Sequence, residues 1–231
     1  MARANGLHHL AISTGNMKAQ IEFFSDVLGM ELVALYWMHG VEGTWHGFMR
    51  LNYTASVAFV YNDRIRDTKP ALGVSHAGNP GNPTAPGVMQ HLAFNVDTDE
   101  ELLNMSDRIR SRGVNVIGPL DHGMCKSIYF AGPEGLALEI ATSARPIDAR
   151  AWIDPEVQAL AGINAEELAR YKAPAAYKGE GGRLKQPAYD PAKPHQVYPE
   201  PVYKAMLAMS DEDVTKRFSV PDPPIRIAAA E

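Results

Sequence analysis

A duplication constrains this chain more than any other feature. The segment His8-His9-Leu10-Ala11-Ile12-Ser13 returns as Gln90-His91-Leu92-Ala93-Phe94-Asn95. An internal repeat dictates architecture before any finer reading begins. After the first copy, 17–28 carries Ile21, Phe23, Phe24, Val27 and Leu28 on one helical side, with Asn16 as N-cap and Gly29 beyond the end. Strand-like runs follow at 30–38, 44–52 and 56–61. After the second copy, a helix is expected over 100–112, capped by Thr98 or Asp99 and ended by Gly113. Short strands are expected at 114–117, 126–130 and 136–141. Each half therefore reads strand, helix, strand, strand, strand, over about 6–62 and 88–142, with a Pro/Gly/Asn-rich connector at 70–87. The expected fold is α+β. Two βαβββ modules pair about a pseudo-twofold axis into a mixed, incompletely closed, eight-stranded, barrel-like sheet.

The modules account for residues 1–142. Most of the 17 prolines fall after 143, where no apolar pattern is long enough for an independent core. Short helices fit 166–171, 202–209 and 211–218, and Trp152, Tyr171, Tyr177, Tyr189, Tyr198 and Tyr203 argue against simple disorder. Residues 143–231 are expected to be a long Pro-rich C-terminal arm that packs on its own domain or on a partner subunit. This makes a homo-oligomer the expected state.

Composition excludes several function classes. The net charge is -5, and no basic patch interleaved with aromatics marks a nucleic-acid binder. One cysteine, Cys125, cannot form an internal disulfide. There is no apolar run near the ~20 residues that span a bilayer, and no signal-peptide pattern. The expected location is the cytoplasm, with no membrane partner.

Chemistry concentrates in three residues. Strand side chains alternate between faces. If Leu10 and Ile12 face the helices, His9 and Ala11 face away, and His91 does likewise against Leu92 and Phe94. Module pairing then brings the two imidazoles together. Glu139 lies in the otherwise apolar Leu136-Ala137-Leu138-Glu139-Ile140-Ala141, where a lone carboxylate is costly unless paired or metal-bound. Two histidines and one carboxylate on one face leave coordination positions open, as in non-haem Fe(II) oxygenases. The plain alternatives are satisfied strand histidines and a strand-end glutamate facing water. Trp37, Met38, Trp45, Phe48 and Met49 form a candidate apolar wall for an aromatic substrate. His39 and His46 flank Gly40–Trp45, either lining a substrate mouth or standing in an exposed loop.

These residues resemble the vicinal oxygen chelate superfamily, which includes glyoxalase I, bleomycin-binding proteins and extradiol dioxygenases. The resemblance covers about 6–142. It rests on His9-Leu10-Ala11-Ile12, on Phe23-Phe24 with Val27-Leu28-Gly29-Met30, on Gln90-His91-Leu92-Ala93-Phe94, and on Tyr129 through Glu139. In the last stretch Gly132 stands where the family usually has Asp. Gly118-Pro119-Leu120-Asp121-His122-Gly123 and Tyr129, ten residues before Glu139, are similar to extradiol members in particular. The resemblance implies a mononuclear ring-cleaving dioxygenase with metal ligands His9, His91 and Glu139 and catalytic residues His122 and Tyr129. It implies Fe(II), with Mn, Zn, Ni, Co and Mg as alternatives, and a catechol-like aromatic diol and dioxygen as substrates. A glyoxalase-like lyase or isomerase, or a non-catalytic small-molecule binder, is the other outcome the scaffold allows.

Overall fold

The structure is a computed structural model that describes residues 2–225. The first module runs β1 (His9–Thr14), α1 (Met17–Glu22), β2 (Glu31–Trp37), β3 (Trp45–Arg50) and β4 (Ser56–Tyr61), followed by the short helix α2 (Asp63–Asp67). The second runs β5 (Leu92–Val96), α3 (Asp99–Ser111), β6 (Ile117–Asp121), β7 (Lys126–Ala131) and β8 (Ala137–Thr142). The repeat seen in the sequence is therefore a structural repeat. Each module folds into one four-stranded sheet, ordered β1-β4-β3-β2 and β5-β8-β7-β6. In both, the opening strand pairs in parallel with the last, and the other pairs are antiparallel.

Local chemistry explains the elements. Asn16 accepts from the Ala19 amide at the start of α1. Thr98 and Glu101 form a reciprocal capping box on α3, whose N-cap contributes about 1 kcal/mol. Phe23–Val27 widens into a π-helical turn, so the single helix expected over 17–28 is an α-helix followed by a looser turn. That turn leaves Phe24 with no exposed surface, in ring contact with Phe59 and Phe94. Burying such a ring contributes about 1.5–3 kcal/mol. Phe94 belongs to the second module, so the helix-side faces of both sheets share one core.

A carboxylate ties the modules together. Glu134 accepts from the Thr14 hydroxyl at 2.5 Å, the Gly15 amide at 2.8 Å and the Gln20 side-chain amide at 2.8 Å. Glu134 holds φ at 57°, a backbone that L residues rarely adopt. Strain of this kind persists where the surroundings over-determine it.

The strand expected over 114–117 begins later, at Ile117, and runs through Gly118-Pro119. It is an edge strand with a register shift between Ile117 and Leu120, a place where proline is tolerated.

The chain divides into two compact units. Asn5–Met38 with Gly43–Pro174 form one, which contains both modules, α4 (Ala149–Trp152), α5 (Pro155–Leu160) and α6 (Ala165–Lys172). Residues 2–4, His39–Glu42 and 175–225 form the other, with α7 (Glu200–Leu207) and α8 (Asp211–Phe218). In this second unit Tyr189, His195, Tyr198 and Tyr203 cluster ring against ring. Among the described residues, no helix is long and apolar enough to cross a membrane.

Candidate metal centre and active face

Strand alternation sorts the side chains as expected. Leu10, Ile12 and Thr14 turn inward, whereas His9, Ala11 and Ser13 are open on the opposite face. In the second sheet Leu138 and Ile140 face the core, and Ala93 pairs with Glu139, which in turn pairs with Tyr129. His91, Glu139 and Tyr129 therefore share the face away from the helices.

His91 and Glu139 come together there. The His91 Nε2 stands 2.9 Å from the Glu139 Oε2, with the imidazole one-third exposed and the carboxylate buried. The other ring nitrogen, Nδ1, is hydrogen-bonded to the Gln90 Oε1. Gln90 is itself fixed, because its Nε2 donates to the backbone carbonyls of Asn82 at 3.0 Å and Asn79 at 3.3 Å. A side-chain amide oxygen only accepts, so the His91 Nδ1 carries the hydrogen. The His91 Nε2 is then left to face a carboxylate oxygen. Two lone pairs at that distance repel unless a proton or a cation lies between them. This donor set therefore fits a divalent metal: an oriented imidazole, a buried carboxylate, and an outer partner that fixes the tautomer.

His9 stands apart from this pair. Its Nδ1 is 2.9 Å from the His8 Nδ1, and its ring lies 5.5 Å from Phe48 of its own sheet. Among the described residues, no three His, Cys, Asp or Glu side chains are close enough to hold a metal ion. Each opening strand pairs within its own sheet, and β1 does not pair with β5.

His122 and Tyr129 do meet. His122 is the first residue of a tight turn between β6 and β7, closed by its amide donating to the Cys125 carbonyl at 2.9 Å. Gly123, the first central residue, has φ of 79°, as a two-residue hairpin requires. The short turn folds the imidazole back onto β7, so that the His122 Nε2 lies 2.8 Å from the Tyr129 hydroxyl. Burial pushes the Tyr129 phenol above its ordinary pKa; the Ser127 hydrogen bond opposes this, and the neighbouring Glu139 carboxylate adds to it. Tyr129 therefore stays protonated at neutral pH and acts as a donor.

His46, which the sequence leaves either lining a substrate mouth or in an exposed loop, is placed differently. His46 is on β3, not in a loop, and both of its ring nitrogens are buried without a hydrogen-bond partner among the described residues. It stacks near Phe48 and Tyr36, on the same side of the first sheet as His9. Burial, and then the nearby His9, lower its pKa, so the ring is held neutral. Its position two residues before Phe48 in an alternating strand was the available signal. The candidate apolar wall is correspondingly smaller. Met49 and Trp45 point into the core and Trp37 is largely exposed, leaving Phe48 with Tyr36 beside the histidines. At Gly132, where a family Asp was expected, a Cβ would stand 2.8 Å from Leu138, so the space is already filled.

A family model described as the glyoxalase/bleomycin resistance protein/dioxygenase superfamily matches residues 6–140, more than half of the chain. The chain belongs to that superfamily. Among curated proteins, superfamily resemblance extends to biphenyl-2,3-diol 1,2-dioxygenase 2 of Rhodococcus globerulus, 27% identical over 63% of this chain and 68% of the relative. Biphenyl-2,3-diol 1,2-dioxygenase 3 of the same organism is 22% identical over 58% of this chain and 61% of its own length. Lactoylglutathione lyase of Neisseria meningitidis (strain DSM 15465 / Z2491) is 26% identical over 58% of this chain and 87% of its own. The match thus spans about two thirds of the dioxygenases and most of the lyase. The superfamily includes dioxygenases and lyases, and the relatives carry names of both kinds.

Proposed function

We propose that this protein is a ring-cleaving, extradiol-type dioxygenase that holds one divalent metal, Fe(II), and acts on a catechol-like aromatic diol with dioxygen. The observation that carries the reading is the second sheet's polar face. There the His91–Glu139 pair and the Tyr129–His122 pair stand on neighbouring strands, joined at the register position Tyr129 with Glu139. The similarity to two biphenyl-2,3-diol dioxygenases supports the diol as substrate.

His91 and Glu139 would hold the metal, with His9 as third ligand through its Nε2, since its Nδ1 is engaged by His8. Because His9 lies apart within one chain, a second copy supplies it: the aromatic face of one first sheet covers the polar face of the other copy's second sheet. The metal, when bound, supplies Lewis acidity that lowers the pKa of a coordinated hydroxyl and a redox centre for dioxygen. Tyr129 would accept a hydrogen bond from a substrate hydroxyl while its own hydrogen points to the His122 Nε2, so that a proton can be relayed from substrate to imidazole. His122, in contact with that phenol, takes up and returns the proton. Neutral His46, with both nitrogens free of protein partners, is a further acceptor on the His9 face. Phe48 and Tyr36 present flat apolar surface to an aromatic ring.

The test is metal analysis of protein purified without air, followed by oxygen uptake with a panel of catechols. Bound iron with uptake is the expected result. His122→Ala should keep the metal and lose turnover. A second reading, a glyoxalase-like lyase using Zn, Ni, Co, Mn or Mg, is favoured by the coverage of the Neisseria lyase. Bound Zn or Ni with no oxygen uptake would replace the first reading with it. A mass of one chain at working concentration would refute the shared site.

A further inference from the structure

We infer that Trp152 is a positioning residue for the His122–Tyr129 couple, acting from a segment outside the span shared with the superfamily. The family match ends at residue 140, and Trp152 closes the short helix α4 twelve residues later. Both belong to the same compact unit as the two modules.

The contact is made at Gly123. A Cβ built on this glycine would stand 3.0 Å from both Cζ2 and Cη2 of the Trp152 indole, so the ring lies flush against the tip of the hairpin turn. Gly123 is required there twice, by its φ of 79° and by the indole that occupies the side-chain space. Two further bonds hold the same tip. The Gly123 amide donates to the Asp121 Oδ1 at 2.8 Å, and the Arg145 Nη1 donates to the Gly123 carbonyl at 3.3 Å. Arg145 also reaches Asp121, with its Nη2 3.9 Å from the Oδ2.

The turn needs this support because it is otherwise exposed on an edge strand. β6 pairs only with β7, its register shifts between Ile117 and Leu120, and Leu120 and Asp121 are exposed. The strand itself thus does little to fix the turn that starts at His122. The indole replaces the missing neighbour and limits how far the imidazole can swing from the Tyr129 hydroxyl. Trp152 is 47% exposed, so its role is not that of a core residue. Catalytic geometry is sensitive at this scale, since a misplacement of about 1 Å costs up to about 100-fold in rate.

The inference rests on the reading of His122 as the proton-handling residue, but its test separates the two. The full-length Trp152→Ala and Trp152→Phe variants are compared with the parent. The first readout is the imidazole ¹⁵N–¹H spectrum of His122 at fixed pH, which needs no turnover. The second is steady-state oxygen uptake by the iron-loaded protein with catechols. Expected are altered His122 signals and a kcat about tenfold lower with unchanged KM in Trp152→Ala, and smaller changes of both in Trp152→Phe, whose shorter ring recovers part of the bulk. Should Trp152→Ala fail to fold, Trp152→Leu, which keeps apolar bulk without the plane, takes its place with the same expected outcome. Unchanged His122 signals in a folded variant would overturn the inference. Altered signals in a protein whose parent consumes no oxygen would uphold the positioning role and remove the dioxygenase reading instead.

Discussion

Replacing Gln90 with leucine keeps side-chain bulk and removes the oxygen that accepts from the His91 Nδ1. In the parent, that oxygen is aimed by two backbone bonds, at 3.0 Å and 3.3 Å, from the connector that joins the modules. The amide cannot flip without losing both, so His91 is confined to the tautomer that presents Nε2 to Glu139. Outer partners of metal-bound histidines contribute about 10- to 100-fold in affinity, or about 1.4–2.7 kcal/mol. Gln90→Leu should therefore weaken metal binding by that factor. Loss of the half-exposed amide's bonds to Asn79 and Asn82 should lower stability by only about 1 kcal/mol. Competitive titration against a chromophoric chelator measures the first, and a thermal melt the second. Gln90→Glu keeps an acceptor next to Nδ1 and should retain most of the affinity. Parent-like affinity in folded Gln90→Leu would refute the tautomer argument, because nothing else in the structure fixes which nitrogen of His91 faces the carboxylate.

Three more outcomes are expected. Glu139→Ala should lose the metal while the chain stays folded; full occupancy by elemental analysis would show that the carboxylate is not a ligand. Glu134→Ala removes the partner of buried Thr14 and Gln20, at about 1–3 kcal/mol for each unsatisfied group, or about 2–6 kcal/mol for the two. Glu134→Gly should cost about 1 kcal/mol less, since glycine accepts the positive φ without strain; equal melting temperatures for the two would count against the strain. Finally, His46 has a folded-state pKa below the unfolded 6.5, so the unfolded chain binds the extra proton and stability is lost as pH falls below about 6.5. His46→Phe should flatten the decline in melting temperature between about pH 7 and 5, and an unchanged slope would contradict the buried neutral ring.

Much of this architecture could be read from the chain, for identifiable reasons. The repeated His-Leu-Ala start, the caps Asn16 and Thr98 and the positive-φ glycines 29 and 113 are local signals, and local signals decide where elements begin and end. Strand alternation and a lone carboxylate in an apolar strand singled out His91 and Glu139, whereas His122 and Tyr129 stood out only through the resemblance to extradiol members. What could not be read depends on partners distant in sequence. Val114–Val116 has strand-like composition but lies before the edge strand, whose start is set by pairing with β7. His46 could be read as mouth-lining or as a loop residue because its burial depends on Tyr36 across the sheet as well as on Phe48 along its own strand. The separation of His9 from the other two donors depends on which strand each module's first strand pairs with, and composition carries no trace of that.

The Glu134 clamp gives the molecule an unusual division of labour. Each sheet has its own ladder of backbone bonds, but a single strained residue in a turn gathers the hydroxyl, amide and backbone of the opposite module. It shares that duty with the common core and with Arg108, whose guanidinium donates to the Val27 and Asp26 carbonyls at 2.9 Å each. Changes at this one turn would therefore loosen one corner of the seam between the halves while the backbone ladder of each sheet stays whole.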